Sequence, residues 1–215
     1  MKKVGELKIT SFNLLAPCYK RIQGRFGQFG LIRESADNEL WEKRLEESAQ
    51  FFKSEILKNS DIIAFQEFWL HEDYKTKFEE LASDMEFEMV LLKRHPKRKA
   101  DALVMVIDKK SLQIRGQERI ELCSVSDRIA QILWLYHIES KKHLIVANTH
   151  LSFPHNEFDR INQIDQIKKL TSAIALFANK NNLTNVRTIS YQLLYYSHLI
   201  IYIPIHIYSQ TRPLK

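Results

Sequence analysis

Three residues at the ends of apolar runs could do chemistry together. Asn13 closes Leu7-Lys8-Ile9-Thr10-Ser11-Phe12, Glu67 closes Asp61-Ile62-Ile63-Ala64-Phe65-Gln66, and His150 closes Leu144-Ile145-Val146-Ala147-Asn148-Thr149. The second run, opened by the turn-forming Asn59-Ser60-Asp61, reads as a strand buried on both faces, whose interior has no place for a spare carboxylate. Glu67 therefore stands at a strand mouth, where the catalytic groups of α/β folds gather. A glutamate there can also simply meet solvent, and a histidine after a strand often only packs and hydrogen-bonds. Three mouths carrying Asn, Glu and His shift the balance towards function. An amide oxygen beside a carboxylate is a hard, oxygen-only donor set, which suits Mg²⁺ better than zinc because magnesium takes few protein ligands and keeps several waters.

The elements that must position these groups are readable in outline. Residues 7–17 alternate as a strand and stop at Pro17. Between the first two mouths, residues 39–57 place Leu40, Leu45, Phe52, Ile56 and Leu57 at helical spacing, so a strand, helix, strand unit is expected. If its strands are neighbours, Asn13 and Glu67 point into one cleft. Residues 103–107 and 129–138 read as further strands and 112–120 as a weaker one. Residues 156–177 read as a helix with a stripe of Phe158, Ile161, Ile164, Ile167, Leu170, Ile174 and Phe177.

Ser11-Phe12-Asn13-Leu14-Leu15-Ala16, Trp41 with Arg44, Asp61 to Glu67, and Val146-Ala147-Asn148-Thr149-His150-Leu151, in that order, resemble the motifs of the endonuclease/exonuclease/phosphatase superfamily. The branch most similar is that of the deadenylase-like nucleases, including nocturnin and the angel proteins, and the resemblance runs from about Leu7 to about Leu183. It implies a DNase I-like, two-sheet α/β sandwich with outer helices and an active site that uses Mg²⁺ or Mn²⁺ to cleave phosphoesters. On this branch it implies 3′ to 5′ hydrolysis of RNA, and so a nucleic-acid partner. Asn13 and Glu67 match the metal positions, and His150 matches the histidine that contacts the scissile phosphate. Asn148, in the same motif, is placed with the substrate. The basic run Lys93-Arg94-His95-Pro96-Lys97-Arg98-Lys99 resembles a family loop that precedes Asp-Gly. Its Lys97, Arg98 and Lys99 could hold a phosphate-rich strand or be a solvated loop, and Ala102 stands where the family has glycine.

The resemblance ends near Asn185. The family continues into a Gly-Asp-x-Asn strand and a Ser-Asp-His strand, and neither motif occurs among the 215 residues; no Asp or Glu follows Asp165. The expectation is an incomplete sandwich over residues 1–185, catalytically deficient or partner-binding as the alternative to an enzyme, with an apolar sheet edge left exposed. Residues 186–215 form a Tyr- and Ile-rich tail unlike the family, as a reading frame that departs from the family's would give. The six basic residues after Asp165 carry the whole net charge of +6, so the basic pI says little about nucleic-acid binding. The tail's apolar stretch is broken by Ser197, His198, Pro204 and His206 and falls short of the ~20 residues of a membrane span, so no membrane partner is expected. Cys18 and Cys123, far apart and without metal spacing, suggest a reducing compartment. With no secretory stretch at the N-terminus, a cytoplasmic or nuclear location follows, and no obligate protein partner is inferred. The loop 23–30 is only weakly like a phosphate cradle.

Overall fold

In a computed structural model, the described residues are 7–24, 30–95, 97–124, 126–183, 190–194 and 198–205, the last two segments as backbone only. The chain runs β1 (Ile9–Asn13), β2 (Arg21–Gln23), β3 (Leu31–Arg33), α1 (Asn38–Phe51), β4 (Ile62–Trp69), α2 (Glu72–Asp84), β5 (Phe87–Lys93), β6 (Asp101–Asp108), β7 (Leu112–Cys123), β8 (Arg128–His137), β9 (Lys142–His150), α3 (Glu157–Lys180), β10 (Ser190–Leu194) and β11 (His198–Ile205). Two sheets form, in the orders β1-β4-β6-β5 and β10-β11-β9-β8-β7, beside a small β2-β3 ribbon.

The strand, helix, strand unit is as expected: β1 and β4 are parallel neighbours, with Asn13 opposite Gln66. Asp37 caps α1 by accepting from the Leu40 N–H at 3.2 Å, as a short acidic side chain does at an N-cap. The helical spacing that continues to Leu57 resolves into α1, a π-helical turn over Phe52–Ile56 and a 3₁₀ turn over Leu57–Asn59.

Alternation sorts the apolar residues into four layers. Ile62 and Ala64 of β4 and Met105 and Ile107 of β6 meet Leu133, Leu135, Leu144 and Val146 of the second sheet. Ile63, Phe65, Val104 and Val106 turn the other way, onto Leu45 and Phe52 of the α1 segment and Tyr74 and Phe78 of α2. Ile132, Ile145 and Ala147 face Leu170, Ile174 and Phe177 of α3. Trp41 belongs to this packing, 4% exposed and edge-on to Trp69 at 5.3 Å.

Four expectations need amendment. β7, read as the weaker strand, is 12 residues long; it is an outer strand whose alternate residues stay wet, so its apolar signal is thin. α2 and β5 have no counterpart in the sequence reading. On α3 only the C-terminal part of the stripe is buried, while Phe158, Ile161 and Ile164 are half or more exposed. The apolar edge expected of an incomplete sheet does not fall at β9, which is paired: β11 runs antiparallel along it from His198 opposite His150 to Ile205 opposite His143. The β-branched and aromatic composition of the tail favours this extended backbone. Residues 25–29 of the 23–30 loop lie outside the described residues, as does the rest of the tail. No helix among the described residues is long and apolar enough to cross a membrane.

Candidate functional site

The strand mouths do converge. Asn13 ends β1, Glu67 lies near the end of β4 and His150 ends β9. Asn13 Nδ2 donates to Glu67 Oε1 at 3.3 Å, and His150 Nδ1 lies 3.6 Å from the same oxygen. Both side chains are largely buried, Glu67 13% and His150 12% exposed.

How Glu67 reaches that position follows from the backbone. β4 pairs with β6 in one register up to Phe65 opposite Val104 and in another from Phe68 opposite Ala102, so a bulge lies between them. Within it Glu67 adopts φ +52°, a left-handed conformation that costs a non-glycine residue of order 1–2 kcal/mol. Without the bulge, Phe68 would point between the sheets; with it, both Phe65 and Phe68 pack onto the helix side. The extra residue thus frees Glu67 from the alternation and turns it into the cleft, the re-aiming for which bulges are used.

Asn13 is itself held. Its Oδ1 accepts from Leu15 N–H at 2.8 Å, and Leu15 sits at φ +49°. Arg44 Nη2 donates to Leu15 O at 2.8 Å, while its Nε lies 2.6 Å from Glu34 Oε1. Glu34, 2% exposed, also pairs with Lys20 at 2.6 Å. Trp41 and Arg44 thus have separate duties, one in the core and one in a relay from Glu34 to Glu67.

Behind the cleft, Gln66 and Asn148 are both fully buried. Gln66 Nε2 donates to Asn148 Oδ1 at 2.8 Å, and Asn148 Nδ2 donates to Phe65 O at 2.9 Å and Val104 O at 3.2 Å. Asn148, assigned to the substrate from the sequence, is therefore placed elsewhere: its amide is committed to joining the sheets one residue behind Glu67 and two behind His150. The basic loop is likewise engaged. Arg98 Nη2 pairs with Asp127 Oδ1 at 2.8 Å, its backbone N–H and that of Lys97 bond His95 Nδ1, and Arg119 holds Lys93 O and Arg94 O. Lys97 is exposed and Lys99 half-buried; the described contacts do not bring them to Glu67. Ala102, in the glycine position, is 1% exposed, its methyl part of the core.

Several residues at the mouth had no assignment in the sequence reading. Arg94 Nη2 reaches Asp101 Oδ1 at 3.0 Å and Tyr19 Oη at 3.1 Å, and Tyr19 donates to Asp101 at 2.7 Å. Burial, with the bond to Asp101, pushes the Tyr19 phenol up to about 12. Arg128 Nη1 donates to His150 O at 3.2 Å. Burial holds its guanidinium below the usual range, with Arg94 adding repulsion and Asp101 and Glu67 opposing. Burial, then Asp101, pushes the nearby Cys18 thiol up to about 11, so it is protonated at neutral pH and a poor nucleophile. The acid-bearing segment around Asp101 was visible; Tyr19 and Arg128 carry no motif.

The donor set can be tested for a cation. Glu67 Oε2 is buried without a hydrogen-bond partner among the described residues, and a sealed carboxylate oxygen left bare is costly unless something positive meets it. Asn13 presents its nitrogen to Glu67, so in this conformation it orients the carboxylate. Among the described residues no three His, Cys, Asp or Glu side chains cluster to hold a metal. The set fits a weakly held, mostly hydrated ion anchored by one carboxylate, the habit of Mg²⁺, and not a closed zinc site.

No family model matches the chain. An uncharacterized calcium-binding protein of Arabidopsis thaliana is 25% identical over 192 residues, which are 85% of this chain and 38% of that protein; the chain thus spans well under half of that curated relative. The crystal structure of ANGEL2, a 2′,3′-cyclic phosphatase, in complex with adenosine-2′,3′-vanadate superposes with a TM-score of 0.62 at 16% identity, covering 82% of this chain and 49% of that one. The human nocturnin catalytic domain with bound sulfate gives 0.61 at 14%, covering 91% and 81%. The layered α/β sandwich described above is the fold the chain shares with these two structures and with an endonuclease/exonuclease/phosphatase from Bacteroides vulgatus, which superposes with a TM-score of 0.57 at 15% identity, covering 92% of this chain and 87% of that one.

Proposed function

We propose that the chain is a divalent-metal-dependent phosphoesterase acting on nucleic acid, RNA in the first instance. The observation that carries this reading is the convergence of Asn13, Glu67 and His150 on one strand mouth around a sealed, unpartnered Glu67 Oε2. Glu67 would anchor Mg²⁺ or Mn²⁺, with Asn13 orienting its carboxylate. The cation, when bound, neutralises charge on the phosphoryl oxygens. His150, across the mouth, donates to a non-bridging oxygen of the phosphate, a bond that strengthens as charge develops there. The nucleic-acid class is supported by the structural neighbours, of which ANGEL2 is described as a 2′,3′-cyclic phosphatase and was solved with an adenosine vanadate.

A second reading is favoured by the lack of a three-member metal cluster among the described residues: a partner-binding fold with an incomplete site. Hydrolysis of oligoadenylate with Mg²⁺ separates the two. The first predicts turnover that falls at least ~100-fold in Glu67→Ala and in His150→Ala, the scale of losing a main electrostatic contact to the transition state. Equal rates for the chain and Glu67→Ala would end the catalytic reading.

A further inference from the structure

Among the described residues, Arg128 is a cation at the strand mouth with no anion within ion-pair distance. It opens β8, whose antiparallel register with β9 sets Ala130 opposite Thr149 and so brings Arg128 beside His150. One of its five N–H groups is spent on His150 O, and Nε is sealed from water without a partner. No carboxylate lies within ion-pair distance of it among the described residues, whereas its neighbour Arg94 is matched by Asp101 at 3.0 Å. A guanidinium taken mostly out of water without a counter-ion is unfavourable, and its fork suits the paired oxygens of phosphate better than any neutral ligand. The charges around it agree: Arg94 and Arg128 stand together against Asp101 and Glu67, so a cation at Glu67 would leave the mouth positive and in want of an anion.

We propose that Arg128 binds the phosphate of the substrate at this mouth, holding a non-bridging oxygen on the side of His150. The role rests on the phosphoesterase reading for its substrate but not for its test. Tethering through the His150 carbonyl fixes the guanidinium against the end of β9, so the phosphate it holds lies beside the imidazole. Arg94, locked by Asp101 and Tyr19, serves as the second positive wall.

The test uses the full chain without metal, titrated with inorganic phosphate and with AMP. The Arg128 Nε–Hε resonance should shift on saturation with either ligand, a readout that needs no substitution. Phosphate affinity should fall about tenfold in Arg128→Gln and be only partly restored in Arg128→Lys, which keeps the charge but not the fork, with circular dichroism unchanged in the Lys variant. An Arg128 signal unmoved by both ligands, or Arg128→Gln binding phosphate as the parent does, overturns the proposal. Binding of inorganic phosphate but not AMP also overturns it, because the site would then not accept an esterified phosphate. Phosphate and AMP binding through Arg128 without oligoadenylate hydrolysis would uphold this site while the catalytic reading falls; hydrolysis with an indifferent Arg128 would do the reverse.

Discussion

Asn148→Ala should destabilise the chain by far more than a single polar deletion, because three bonds in a dry layer end on that amide. Its two donated bonds, at 2.9 and 3.2 Å, go to Phe65 O on β4 and Val104 O on β6, and its oxygen takes the 2.8 Å bond from Gln66. All of this lies between the sheets, where Asn148 and Gln66 are 0% exposed. Truncation leaves two buried carbonyls short of a donor, about 1–2 kcal/mol each, and strips Gln66 of its shortest bond, about 1 kcal/mol more, a total of about 3–5 kcal/mol. Gln66 retains Ser11 Oγ at 3.2 Å and Ala64 O at 3.3 Å, which keeps its share small. Against a typical stability of about 5–15 kcal/mol this is severe but survivable. Urea denaturation followed by far-UV circular dichroism gives the number, with an unchanged slope showing that the same surface unfolds. Gln66→Ala and the double variant complete a cycle, in which a coupling of about 0.5–3 kcal/mol is expected for residues in contact. A loss below about 1 kcal/mol for Asn148→Ala at unchanged slope would refute the account of Asn148 as the tie between the sheets.

Three further outcomes follow from particular contacts. Glu67→Gly should be more stable than Glu67→Ala by about 1 kcal/mol in thermal melts, since both lose the side chain but only glycine is at ease at φ +52°; equal stability would mean the bulge relaxes once the glutamate is gone. Glu34→Gln should cost about 2–4 kcal/mol by denaturant titration, because the buried carboxylate is the counter-charge of both Lys20 and Arg44 at 2.6 Å, and the Leu15 amide should exchange faster as Arg44 loosens. Burial pushes the Tyr74 phenol up to about 12, Arg44 opposing and Glu34 adding to the rise. A raised folded pKa means stability that is present below the unfolded value near 10 and lost as pH climbs from 10 towards 12, roughly 2–3 kcal/mol in all. Tyr74→Phe should lack that loss, which paired urea titrations at pH 9 and above would show.

What the sequence disclosed and what it withheld divide along a physical line. Strands buried on both faces, such as β4 and β9, announce themselves by unbroken apolar runs that turn polar towards the mouth, and β1 ends in Asn13, so Asn13, Glu67 and His150 could be named from spacing and motif order. Arg128 could not, because its meaning comes from lying across the β8-β9 ladder from the end of β9, a relation no local pattern contains. The same holds for Asn148, which shares the inter-sheet face of β9 with His150 but lies two residues deeper, where its amide is spent on tying the sheets together. α2 leaves little trace in the sequence because its buried side chains, Tyr74, Phe78 and Ala82, are few among many charges.

The bulge at Glu67 occupies a middle ground, and its trace is in the sequence. Strict alternation from Ile63 and Phe65 on the helix side would place residue 67 there and Phe68 between the sheets, opposite the polar pair Gln66 and Asn148. A large aromatic cannot share that layer with a hydrogen-bonded amide pair already packed at the contact distance of two sheets, about 10 Å. The run Phe65-Gln66-Glu67-Phe68-Trp69 can bury both aromatic residues after the glutamate on the helix side only if one residue is surplus to the ladder, and the charged one is the residue that gains by leaving it. Local strain at Glu67 is thus the consequence of burying Phe65, Gln66 and Phe68 correctly at once, and the same constraint delivers a carboxylate to the cleft.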